Sequence, residues 1–99
     1  MAPPRKLPRP FEMHWGSGEI VEEASFSSEY HEPTIQLMLY TEGEAQGSYS
    51  LRFCSYNHRG MFQRSPLMVG EADIAGLRKA LRETPRLREV LRQLVNDAD

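Results

Sequence analysis

Residues 48–64 read SYSLRFCSYNHRGMFQR, and their alternation is that of a β-hairpin. Tyr49, Leu51 and Phe53 share one parity; Ser50, Arg52, Cys54 and Tyr56 share the other. The two-residue period of a strand sends these sets to opposite faces. Asn57-His58-Arg59-Gly60 has turn chemistry, because Asn and Gly tolerate positive φ. Met61 to Arg64 reads as the return strand, and Pro66 marks an edge position or a bulge before Leu67 to Val69 lead out.

Working back from the hairpin, Glu42 to Gly47 is a polar loop. Thr34 to Tyr40 is the strongest strand signal, with Ile35, Leu37 and Leu39 on one face and Met38 and Tyr40 on the other. Apolar residues on both parities imply a central strand, or a face buried in a dimer. Glu19 to Ser28 alternates weakly around Ile20, Ala24 and Phe26 and reads as a first strand with an acidic wet face. Trp15-Gly16-Ser17-Gly18 reads as a turn; it cannot cradle phosphate, since a strand rather than a helix follows it.

Forward of the hairpin, Glu71 and Asp73 place negative charge in a first helical turn, which suits the helix dipole. Ile74, Leu77 and Leu81 form an apolar stripe. Thr84 as N-cap and Pro85 as first helical residue predict a second helix, with Leu87, Val90, Leu91 and Leu94 on one face and Arg86, Arg88 and Arg92 in water. The expected fold class is therefore α+β: a four-stranded antiparallel meander with strands over about 19–69, then a helical arm over about 71–95 broken at Thr84-Pro85. Residues 1–10, with four prolines among Arg5, Lys6 and Arg9, read as a flexible basic tail, and 11–99 as one domain. One sheet face packs on the helices and the other needs water or a second copy, so a homodimer is expected.

With 99 residues, 39% hydrophobic and 26% charged, the chain has ordinary globular composition. It shows no apolar run long enough to span a membrane and no secretory h-region. A single cysteine, Cys54, allows no intrachain disulfide and fits a reducing compartment, cytoplasmic or nucleoid-associated, or nuclear in a eukaryote. Nothing points to a membrane or a small-molecule substrate as partner. His14, His31, Cys54 and His58 match no zinc spacing, Cys54 has no evident histidine base, and Glu22 and Glu23 point to opposite faces. No catalytic residue, metal or cofactor is expected; Cys54 reads as a small packing residue and His58 as a turn residue.

The charge is uneven. Phe11 to Gly47 carries no Lys or Arg, whereas Ser48 to Val69 carries no Asp or Glu. The hairpin combines Arg52, Arg59 and Arg64 with Tyr56 and Phe62. Cations that track phosphates and flat rings that stack on bases are what a surface for single-stranded nucleic acid requires. The bland reading is a packed strand whose arginines keep an edge soluble. The alternative function is a protein–protein interaction or small chaperone-like dimeric module, in which the acidic first half and the basic hairpin complement each other.

The run Ser50 to Leu81 resembles the core of the positive-cofactor (type four) family of single-stranded-DNA-binding transcriptional coactivators. The likeness lies in a strand (Leu51 to Tyr56), a Gly-containing turn (Asn57 to Gly60), a strand with an apolar exit (Met61 to Val69) and a helix with an acidic start (Glu71 to Leu81). It implies a curved four-stranded sheet, a helix-mediated homodimer and nucleic acid on the strand face, with Arg52 and Tyr56 on the third strand and Phe62 and Arg64 on the fourth. This sequence departs from the family in its single basic residue at Gln63-Arg64-Ser65, in Pro66, and in its acidic first strands.

Overall fold

The computed structural model describes residues 5–63 and 66–96. Five strands, β1 (Arg9–Met13), β2 (Gly16–Ser25), β3 (Glu32–Gly43), β4 (Tyr49–Tyr56) and β5 (Leu67–Gly70), form one antiparallel sheet in sequence order. A 3-10 turn (Glu71–Asp73) leads into α1 (Ile74–Leu81), and α2 (Pro85–Val95) follows. The α+β meander and the helix break at Thr84-Pro85 are as the sequence predicts. No helix among the described residues is long and apolar enough to cross a membrane.

The strand count is five rather than four, for two reasons. The last two residues of the segment read as a tail, Arg9 and Pro10, open β1, where Pro10 is tolerated because β1 is an edge strand that need not donate outward. The hairpin's return is not a continuous strand: Phe62 makes an isolated bridge to Tyr56, and the ladder resumes only at Leu67. Asn57 organises this loop, its Oδ1 accepting from the Arg59 and Met61 amides at 2.9 and 3.0 Å, and Gly60 takes a φ of 83°. The first turn is His14-Trp15, which leaves Gly16 to Gly18 inside β2.

The inner face of the sheet is the core. Ile20, Met38, Tyr40 and Tyr56 are buried there, together with Thr34, Gln36 and Ser50. Irregular register in β2 at Ser17/Gly18 and Ile20/Glu22 marks bulges that bend the sheet. The bend lets Arg9 on β1 reach the Tyr56 hydroxyl on β4 at 3.3 Å. Gly18 lies in register between Phe11 and Tyr40, whose rings meet edge-on across it with centroids 5.2 Å apart. Trp15 Nε1 donates to Tyr40 Oη (3.0 Å), which shares a hydrogen bond with Ser50 Oγ (2.9 Å). Thus the hydroxyl of a buried tyrosine is satisfied rather than stranded.

The outer face carries Ile35, Leu37, Leu39, Leu51, Phe53 and Val69, and Leu39 remains 41% exposed. Neither α1 nor α2 buries a residue. Leu91 and Leu94 of α2 stand across an open groove of about 860 Å³ from Ala24, Ile35 and Phe53.

A methyl group on Gly18 would sit 1.9 Å from the Leu39 carbonyl oxygen. Gly18→Ala must therefore push β2 from β3, and it is expected to cost about 3 kcal/mol, read as a lowered urea midpoint.

Candidate functional site

Glu23 is the hub of the inner face. The Ile20/Glu22 bulge aligns Glu23 with Gln36 of β3 and so turns it inward. Its carboxylate accepts from Arg5 Nε (3.1 and 3.2 Å), Arg9 Nη2 (2.7 Å) and Gln36 Nε2 (2.6 Å). Gln36 Nε2 also donates to Tyr56 Oη at 2.9 Å, and Gln36 Oε1 accepts from Arg52 Nε at 2.6 Å. Side chains from β1, β2, β3 and β4 are thereby tied into one polar network.

Electrostatics follow from these contacts. Burial alone would push the Glu23 carboxyl up, but hydrogen bonds from Gln36, Arg9 and Arg5 outweigh it and hold the carboxyl below its ordinary range. Burial likewise works against the Arg9 charge, yet bonds to Glu23 and Tyr56 raise its affinity for the proton. Burial pushes the Cys54 thiol up, against a smaller opposing effect of Arg52. A raised thiol is a poor nucleophile at neutral pH. No group of three or more His, Cys, Asp or Glu side chains among the described residues is arranged to hold a metal.

The hairpin residues are not placed alike. Tyr56 is only 5% exposed, with the Arg5 guanidinium 3.7 Å from its ring centroid and the Phe62 ring edge-on at 5.5 Å. A base has no open face of this ring to stack on. Arg52 is half-buried on Gln36 and lies 4.7 Å from the Phe62 ring centroid. Phe62 itself is 41% exposed, and Arg59 is exposed in the turn. Arg64 lies outside the described residues. Arg5 and Arg9, read as mobile tail charges, instead bind Glu23.

The structure adds residues that sequence reasoning missed. The β2–β3 loop lies against the hairpin: His31 Nδ1 is 2.6 Å from Ser55 Oγ, and His58 Nε2 donates to the Ser28 carbonyl at 2.8 Å. These bonds gather the exposed side chains of Tyr30, His31, His58, Arg59, Met61 and Phe62 at one end of the sheet. The one signal for this was the run of polar and aromatic residues from Phe26 to His31, which sequence alone could not dock on a loop thirty residues away.

No family model, no curated protein and no solved structure matches this chain.

Because the folded Glu23 carboxyl titrates below its unfolded value of about 4.3, its contribution is full above that pH and is lost as pH falls through the lowered folded value. Urea midpoints of wild type and Glu23→Gln should differ most near neutral pH and converge as pH falls through the lowered folded value. A gap independent of pH would mean that the carboxylate charge is not what matters. Glu23→Ala, which strands two arginines, should cost about 3 kcal/mol at neutral pH.

Proposed function

We propose that this protein is a non-catalytic binding module that works as a homodimer and takes single-stranded nucleic acid at the loop end of its sheet. The observation that carries this reading is the Arg52–Phe62 stack: a partly exposed ring backed by a guanidinium, in a segment free of acids, beside exposed Arg59. Tyr30, 82% exposed on the apposed loop, offers a second ring. Two accessible rings flanked by cations suit bases and phosphates without selecting a sequence. Arg52, Arg59 and Phe62 keep their proposed roles, with Arg64 as a further cation. Tyr56 serves as the wall behind Phe62 rather than as a stacking surface.

Self-association is supported by the outer face. An isolated helix of eleven residues is marginal in water, yet α2 (11 residues) buries none of them. Its stripe of Leu87, Val90, Leu91 and Leu94 is between 38% and 62% exposed. The outer face offers a matching apolar strip through Ile35, Leu37 and Leu39, bordered by exposed Glu19 and Glu22 on β2. Arg86 and Arg88 flank the α2 stripe, so a second copy's helix brings cations to that acidic border. One two-fold operation then covers both grooves.

A protein-interaction module is the second reading, favoured by the burial of Tyr56 and by the extent of uncovered apolar surface. The two readings part on a titration of labelled single-stranded oligonucleotide followed by fluorescence anisotropy. Saturable binding that weakens with salt is expected, with Phe62→Ala and Arg59→Glu each weakening it about tenfold or more. No binding at low salt leaves the interaction module as the answer. Separately, wild type should sediment as a dimer and Leu94→Glu as a monomer with an unchanged β-sheet circular-dichroism signal. A monomeric wild type would remove the self-association.

A further inference from the structure

On the inner face, every edge of one guanidinium meets a complementary group. Arg5 Nε donates to both oxygens of Glu23 at 3.1 and 3.2 Å, and Nη2 to Ser25 Oγ at 3.2 Å. Nη1 lies 3.8 Å from Glu32 Oε1, and the flat face rests 3.7 Å from the Tyr56 ring centroid. Two carboxylates, a hydroxyl and an aromatic ring are what recognises a planar cation by its edges and its face at once.

Two features separate this arrangement from an ordinary structural ion pair. The first is Glu32. Its side chain is 7% exposed, its Oε2 accepts no hydrogen bond among the described residues, and its Oε1 stands beyond hydrogen-bond reach of Arg5. A buried carboxylate left half-satisfied is costly, so Arg5 fills the site without completing it. The second is how Arg5 is held. The β1 ladder begins at Arg9, and among the described residues no backbone–backbone hydrogen bond ties residues 5–8 to the sheet; the Lys6 carbonyl accepts only from the Arg9 side chain, at 3.2 Å. Arg5 itself is thus held in the site through its side chain, on a short tether of chain.

We propose that Glu23, Ser25, Glu32 and Tyr56 form a receptor for a peptide arginine, occupied in cis by Arg5 and able to exchange it for an arginine of a partner's extended segment. The Pro-rich sequence around Arg5 indicates the backbone such a ligand brings: extended and poor in donors, so that the side chain makes the contact. Arg9 stays paired to Glu23 through the exchange, because its strand remains in the sheet. The tethered Arg5 acts as a local competitor and lowers the apparent affinity of wild type by the fraction of time the site is open.

The test uses the full chain carrying Arg5→Ala, titrated by calorimetry with the peptide acetyl-Pro-Pro-Arg-Lys-amide, the sequence of residues 3–6, with Tyr56 ring shifts followed by NMR. Arg5→Ala should bind the peptide at least tenfold more tightly than wild type, and replacing the peptide's arginine by citrulline should abolish binding. Adding Glu32→Gln to Arg5→Ala should weaken binding without disturbing the fold. Should Arg5→Ala fail to fold, Arg5→Lys takes its place, since it keeps the charge and stem but lacks the planar fork; the same ranking is expected. Equal affinity for wild type and variant, undiminished binding of the citrulline peptide, or shifts that spare Tyr56 would each overturn the proposal.

Discussion

The carboxylate of Glu23 is the point on which the inner face turns. The inner face is not closed by apolar side chains alone, because Arg9 of β1 and Glu23 of β2 are brought onto it and the start of β2 is rich in glycine. Beside Ile20, Met38, Tyr40 and Tyr56 the inner face is completed by an ionic network in which one carboxylate meets two arginines and a glutamine. Such a network is worth little unless each member is satisfied, and here the bulge between Ile20 and Glu22 is what brings Glu23 into register with Gln36. The irregularity in β2 is thus as much a part of the core as the side chains are.

The two faces of the sheet therefore differ in kind. The inner face is closed by hydrogen bonds and ring contacts whose geometry leaves few alternatives. The outer face is apolar and open, and its covering depends on helices that hold on loosely. A specific, polar interior beside an open apolar exterior separates what sets the shape of the chain from what the chain leaves uncovered. The loop end, where His31 and His58 bridge two connections, is tied to the inner face through Phe62, which meets Tyr56 and Arg52.

Much of this was legible in the chain. β3 and β4 announced themselves by alternation, and Thr84-Pro85 marked the helix break through capping chemistry alone. What sequence could not give was which parity faces inward. Ile35, Leu37 and Leu39 look more core-like than Thr34, Gln36 and Met38, yet Gln36 and Met38 are the residues fully enclosed. The inversion follows from curvature, which comes from bulges that have no compositional signature. β1 was hidden by Pro8 and Pro10, since proline density reads as a tail unless an edge position is known in advance. The burial of Tyr56 is hidden for a related reason: its neighbours Arg5 and Arg9 lie 51 and 47 positions away in the chain, and nothing local betrays them.

Each ladder joins strands that are neighbours in the chain, so each hairpin closes a short loop and loses little chain entropy. The clasp of Arg9 on Tyr56 is different in scale, spanning 47 residues, and it can form only once the three intervening hairpins stand. It also has little backbone behind it, since β1, like β5 at the other edge, is held by one short ladder. As an edge strand, β1 is therefore expected to open before the β2–β4 block and to exchange its amide hydrogens ahead of it. Each such opening hydrates Glu23 while leaving the rest of the meander paired, so the buried charge of this protein is sampled by water without global unfolding.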